Sequence, residues 1–313
     1  MSRHDRIVID KEAVFSSREP DQEYMNLREE LYGKFVRKIT SLLESKRPRT
    51  FNSHKGLLNP RRLYRHSYDD QVFNRKTQIP NSDTTFLFLI DNSGSMAGGD
   101  LDTCNAIVSA FAKANKTVLG NRIKMEVFAK STAGDIMKGF VKGYVPSLTR
   151  IYSNVVGKQD WDKIMYLGTT APMRHVGKDG IRSKGIGSYT PEYLLLPALR
   201  EWMKKNITTK NVVVINLTDG SVQHSFYSKS AFDGSDTETR HVRSCGYATD
   251  EDTKTLRIKY LRDIPNTTLF IGARKWDMEK LDDMYGDCIH IEPGDDFSGE
   301  FFKILFRLVN EYA

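Results

Sequence analysis

No apolar run in these 313 residues approaches the ~18 that a membrane-crossing helix requires. The start, Met1 to Glu12, places charges where a secretory leader would need its apolar stretch. Cysteine is scarce. Cys104, Cys245 and Cys288 stand far apart with no C-x-x-C pair, so neither a disulfide framework nor a zinc site is signalled. A reduced, cytoplasmic setting without a membrane is the expectation. No G-x-x-x-x-G-K-[ST] occurs, which argues against ATP hydrolysis by the chain itself, and none of the seven histidines forms an H-E-x-x-H pair. Internal repeats and low-complexity tracts are also missing.

What is present is an ordinary globular balance, 39% hydrophobic and 28% charged. The formal charge is +7, which favours anionic partners. The excess is concentrated between Lys46 and Lys76. That segment reads either as a solvated basic connection or as a nucleic-acid-binding stretch.

Between about Asp21 and Lys46, Leu27, Leu31, Phe35, Ile39, Leu42 and Leu43 recur three or four apart, predicting an amphipathic helix packed on the main domain. Residues 1–80 thus form an N-terminal extension, with a basic connection after the helix. From residue 81 the texture changes. Thr84–Ile90 (TTFLFLI) and Asn211–Leu217 (NVVVINL) are continuous apolar runs, the mark of strands buried on both faces of a parallel sheet. Helices are expected at about 101–119, 191–205, 252–263, 276–285 and 297–312, with strands at about 122–129, 267–273 and 288–291. This alternation predicts an α/β fold: a doubly wound, mostly parallel, Rossmann-like sheet over 81–313 with helices on both faces. Two polar stretches, about 131–188 and 221–251, interrupt it as partly structured insertions or recognition loops.

Open α/β sheets bind ligands beyond the carboxyl ends of their strands, where strand order reverses. Three features belong there. Asp91-Asn92-Ser93-Gly94-Ser95 follows the first buried strand, and its spacing by two can turn the oxygens of Asp91, Ser93 and Ser95 towards one point. Thr190 stands before a helix, and Asp219 follows the second buried strand. Each has a plainer reading as a polar turn, a helix start or an Asp-Gly turn. Their joint order favours a site. All five offer oxygen and none offers sulfur or imidazole, which suits a hard divalent cation such as Mg²⁺ or Mn²⁺. A coordination position left to water would attract an outside carboxylate. Ser188, Gly220, Lys178 and Arg182, near these ligands in sequence, are the candidate partner-binding residues.

The D-x-S-x-S turn, the later Thr and the still later T-D-G resemble the metal-ion-dependent adhesion site (MIDAS) of von Willebrand factor A (VWA) domains. Gly56–Arg65 (GLLNPRRLYR) and Leu89–Met96 (LIDNSGSM) are similar to the C-terminal part of the T subunit of aerobic cobaltochelatase, and the likeness runs from about Leu27 to the C-terminus. The T subunit is longer, with an acidic region ahead of its A domain, and residues 131–188 match it poorly. The CobT-like resemblance implies a subunit without catalysis of its own. It would act with a AAA+ ATPase of the MoxR or chelatase S-subunit type, which contributes a carboxylate to the metal. A stand-alone homologue, bacterial or phage-borne, fits equally.

Two other function classes stay open. A Mg²⁺-dependent phosphohydrolase also ends a buried strand in Asp, but a general-acid carboxylate two residues on would be needed, and Ser93 stands there. Nucleic-acid binding draws on the basic segment and on Trp161, Tyr166, Phe226, Tyr227 and Phe232. The Gly-rich stretch from Gly177 to Gly187 lacks a preceding buried strand and reads as a loop leading into Thr190.

Overall fold

The computed structural model describes residues 20–45, 83–97, 99–137, 140–156, 160–168, 192–220, 250–272, 278–285 and 288–291, with short strands at 8–9, 50–53, 57–58, 73–76, 173–177, 180–184, 186–187, 225–227 and 244–247. In chain order these are β1 (Val8–Ile9), α1 (Gln22–Ser45), β2 (Thr50–Ser53), β3 (Leu57–Leu58), β4 (Phe73–Lys76), β5 (Thr84–Asp91) and α2 (Asp100–Leu119). The strands β6 (Lys124–Met137), β7 (Phe140–Ser153), β8 (Met173–Gly177), β9 (Gly180–Lys184) and β10 (Ile186–Gly187) lead to α3 (Glu192–Asn206). Then come β11 (Asn211–Thr218), β12 (Ser225–Tyr227), β13 (Ser244–Tyr247), α4 (Asp250–Leu261), β14 (Asn266–Ile271), α5 (Met278–Tyr285) and β15 (Cys288–Ile291). The expected closing helix at 297–312 lies outside the described residues.

The fold is α/β, built on one eight-stranded mixed sheet in the order β1-β7-β6-β5-β11-β14-β15, with β10 paired to β6. Strands β6, β5, β11, β14 and β15 run parallel, while β7 and β10 meet β6 antiparallel. All eight residues of β5 are buried, as a central parallel strand requires. Its alternate residues serve two cores. Phe86, Phe88 and Ile90 face the layer of α1 and α2, whereas Leu87 and Leu89 face Leu195, Leu199 and Trp202 of α3 and Leu261 of α4. Helices therefore cover both faces. Because β6 lies on one side of β5 and β11 on the other, strand order reverses between β5 and β11.

The stripe on α1 is used as packing surface. Leu31, Phe35 and Ile39 are buried with the α2 core, and Phe35 meets the Phe111 ring edge-on at 5.5 Å. Charges finish the seam: Arg28 pairs with Glu29 and Asp162 and lies over the Trp161 ring at 5.4 Å. Lys113 of α2 reaches Glu29 at 2.5 Å and covers Tyr32.

One difference from the sequence reading concerns the stretch after Ala129. The strand expected at 122–129 is longer, and of the two alternatives for 131–188 the partly structured insertion is the one seen at its start: β6 continues to Met137 and returns as β7 in a long antiparallel ladder. Polar residues such as Lys130, Ser131, Thr132 and Asp135 hide this strand from any apolar pattern. Backbone pairing, which does not depend on side-chain polarity, holds it in the sheet. Between Lys46 and Lys76 the structure describes only the small antiparallel sheet β2-β4-β3. Among the described residues no helix is long and apolar enough to cross a membrane.

Phe111 is fully buried, with the rings of Phe35, Phe86 and Phe88 all within 5.8 Å of it. Phe111→Ala removes the shared contact of α1, α2 and β5. The expected loss is about 3–5 kcal/mol of unfolding free energy, read by urea denaturation. A loss below about 1 kcal/mol would mean that the ring cluster is not the centre of the core.

Candidate metal centre

β5 ends on Asp91, which is 1% exposed. A carboxylate buried so deeply needs compensation on each oxygen. Its Oδ1 accepts the backbone N–H of Ser93 at 3.0 Å, and Oδ2 accepts the hydroxyl of Thr218 at 2.8 Å. The ammonium of Lys130, equally buried, stands 3.9 Å from Oδ2. Register explains this company. Asp91 pairs with Lys130 across the β5–β6 ladder, and Leu217 pairs with Ile90 across β5–β11, so Thr218 arrives beside Asp91.

After Asp91 the chain makes a 3-10 turn over Gly94–Met96, closed by bonds from Met96 N to Ser93 O and from Ala97 N to Gly94 O, both 3.2 Å. Met96 anchors the turn in the core. Gly94 is not in the left-handed region, so the tight bend comes from the 3-10 turn itself. The turn brings the Ser93 and Ser95 hydroxyls to 2.9 Å from each other, Ser93 buried and Ser95 exposed. The pair thus leads from the Asp91 carboxylate to solvent.

Asp219 follows β11 directly and is partly buried. Its charge is felt across the site. Burial, then the charge of Asp219, raises the Asp100 carboxyl from its ordinary value. Burial first, then Asp91 and Asp100, pushes the Cys104 thiol far up, with Lys130 opposing and Asp219 adding. A thiol held protonated in this way is neither a nucleophile nor a metal ligand. Asp100, at the first position of α2, is a member of the site that the sequence did not disclose, and so are Lys130 and Thr218. Two left-handed glycines close the surrounding loops. At Gly272 (φ 71°) a side chain would come within 2.6 Å of the Asp100 carboxylate. At Gly220 (φ 79°) one would strike Leu281 at 2.7 Å. Gly220 is therefore a point of close packing against α5.

Of the residues singled out from the sequence, Asp91, Ser93, Ser95 and Asp219 are described at the carboxyl ends of β5 and β11. Thr190, Ser188 and Lys178 lie outside the described residues, and for Arg182 only the backbone, in β9, is described. The oxygen donors beside Asp91 fit a hard cation. Asp91 accepts from Ser93 and Thr218, the Ser93 and Ser95 hydroxyls follow in the same turn, and Asp219 stands at the end of the neighbouring strand, a donor set made of oxygen alone.

No protein-family model matches the chain, and no curated protein matches it. Among solved structures, the pilus adhesin SpaC from Lactobacillus rhamnosus GG in its open conformation is similar over 73% of this chain and 30% of its own, at 14% identity and a TM-score of 0.46. The pilus adhesin RrgA from Streptococcus pneumoniae is similar over 72% and 44%, at 8% identity and a TM-score of 0.40. Human Sec24c, a COPII-coat protein, covers 72% and 32% at 10% identity and a TM-score of 0.32. The chain spans less than half the length of each.

The raised Asp100 carboxyl has a pH signature. Its folded pKa lies above the unfolded value, so its stabilising share is complete below the unfolded pKa and is lost as pH rises through the folded one. In EDTA, Asp100→Asn removes that loss, so the variant should gain stability relative to the native chain as pH rises from below the ordinary carboxylate range to neutral. Urea midpoints at both pH values measure it. Parallel profiles for the two proteins would show that the fold does not raise the Asp100 carboxyl.

Proposed function

We propose that this chain is a metal-dependent interaction subunit with a VWA-type fold, CobT-like, which works with a AAA+ ATPase of the MoxR or chelatase type and catalyses nothing by itself. The observation that carries the reading is the meeting of the Asp91 turn and the Thr218–Asp219 strand end where strand order reverses. Asp91, Ser93, Ser95 and Asp219, joined by Thr190 in this reading, would hold Mg²⁺ or Mn²⁺. When bound, the ion would offer a coordination position to a carboxylate of the ATPase.

The charges of the chain's own residues support a metal-gated contact. At this end of the sheet three acidic side chains, Asp91, Asp100 and Asp219, stand against one basic side chain, Lys130. An acidic group from a partner is repelled by that set. A divalent cation would cancel it, so acceptance of an acidic partner depends on the ion. Ser93 and Ser95 add hydroxyl oxygen without charge, which leaves room for one further carboxylate. Thr218 holds Asp91 in orientation by its hydrogen bond. This reading locates the protein in the cytoplasm, where Mg²⁺ and the ATPase are at hand.

The test is capture of a MoxR-type ATPase co-expressed with the chain. Binding is expected in Mg²⁺, to be lost in EDTA, and to be lost in Asp91→Ala while the circular-dichroism spectrum stays native. Mg²⁺ should also raise the melting temperature of the native chain, as ligand linkage requires. Capture indifferent to both EDTA and Asp91→Ala would refute the proposal. Phosphate-ester turnover abolished by Asp91→Asn would favour the phosphohydrolase instead.

A further inference from the structure

A second cluster of metal-ligating groups stands apart from the Asp91 turn. Cys288 and His290 lie two apart on the sheet's last strand, β15, so both side chains leave the same face. That face meets α5, where Leu281 and Tyr285 pack on Phe270 and Cys288. Asp282 projects from α5 into the same space. Its Oδ1 accepts the Cys288 thiol at 2.8 Å and lies 2.6 Å from His290 Nε2, while Sγ and Nε2 are 3.9 Å apart. Sulfur, nitrogen and oxygen thus converge pairwise within 4.8 Å. The imidazole is fixed by stacking on Phe270, centroids 5.1 Å apart.

Two other uses of these groups fit less well. A nucleophilic thiol relay needs the carboxylate on one ring nitrogen and the sulfur on the other. Here both face Nε2, and Nδ1 is enclosed without a hydrogen-bond partner among the described residues. A purely structural hydrogen-bond cluster would not require three different ligand types to aim at one point. Asp282 lies on the exposed side of the cluster and already faces both Cys288 and His290 with one carboxylate oxygen.

We propose that Asp282, Cys288 and His290 form a site for Zn²⁺ or a similar borderline-soft divalent ion, distinct in chemistry from the all-oxygen centre at Asp91. Thiolate, imidazole and carboxylate are the zinc donors, and the thiolate is unsuited to Mg²⁺. With Zn–S near ~2.3 Å and Zn–N or Zn–O near ~2.0 Å, tetrahedral ligand atoms stand about 3.3–3.6 Å apart. Binding therefore asks Asp282 to withdraw by less than about 1 Å, which an exposed carboxylate on α5 can do by side-chain rotation. As the ion binds, the Cys288 thiol gives its proton to solvent, and the proton that His290 Nε2 shares with Asp282 also leaves that nitrogen, passing to solvent or, by tautomer change, to Nδ1. Three protein ligands leave the fourth position to water, and the ion ties the edge strand to α5. The linear sequence conceals this because Cys288-x-His290 gains its third ligand only when α5 folds back on β15.

The experiment is a Co²⁺ titration of the full chain, reduced and stripped with chelator. One equivalent should produce the thiolate-to-cobalt charge-transfer band together with tetrahedral visible bands. Zn²⁺ should discharge both, and excess Mg²⁺ neither. Cys288→Ser should abolish the charge-transfer band, and His290→Gln should weaken binding by more than about tenfold, since even outer-shell partners carry that much. Asp91→Ala should leave the signal intact, which separates this site from the other. In the native chain, Zn²⁺ should slow alkylation of Cys288 mapped by mass spectrometry, a reading that needs no variant to fold. Absence of the band from the native chain, its survival in Cys288→Ser, or alkylation unaffected by Zn²⁺ would each overturn the proposal.

Discussion

A single buried carboxylate governs the arrangement described here. Asp91 is almost wholly withdrawn from water at the end of the central strand, and an ionised group in that position is costly unless every oxygen is met. The compensation comes from three separate pieces of chain: the Ser93 amide in the turn that follows, the Thr218 hydroxyl from one neighbouring strand, and the Lys130 ammonium from the other. The last two are available only when β5, β6 and β11 lie side by side in their observed register. The site and the sheet are therefore one construction. The hydrogen bonds that make the centre of the sheet also set the charges around Asp91.

That dependence explains why charge accumulates at this end of the molecule. Asp100 and Asp219 sit close enough to disturb one another, and Cys104 registers the field of both together with that of Asp91. Residues chosen for stability alone would not gather three carboxylates around one buried strand end. Such a concentration is a standing electrostatic cost that a bound cation would relieve, and this is the physical basis for the proposal of a metal centre here. Gly272 and Gly220, both in the left-handed region, let their loops approach Asp100 and Leu281 more closely than a residue with a side chain could.

Much of this was legible in the sequence, and the reasons are local. The uninterrupted apolar runs at 84–90 and 211–217 declare strands covered on both faces, and the α1 stripe declares a helix with one buried side. The turn from Asp91 to Ser95 declares itself by spacing. What the sequence withheld depends on register and on contacts across the chain. Lys130 looks like any surface lysine until the ladder puts it beside Asp91, and Asp100 looks like an ordinary acidic helix start. The β6–β7 ladder carries too many polar residues to show a strand pattern. Cys288, His290 and Asp282 appear as isolated residues until a helix and an edge strand meet.

The central claim is that the Asp91 turn and Asp219 form one centre for a hard divalent ion. Electron paramagnetic resonance of Mn²⁺ addresses it most directly, because the sharp signal of free hydrated Mn²⁺ disappears on binding. One Mn²⁺ per chain should be taken up by the native protein, be displaced by Mg²⁺, and be lost in Asp219→Asn without loss of fold. Undiminished Mn²⁺ uptake by folded Asp219→Asn, or none by the native chain, would contradict the account.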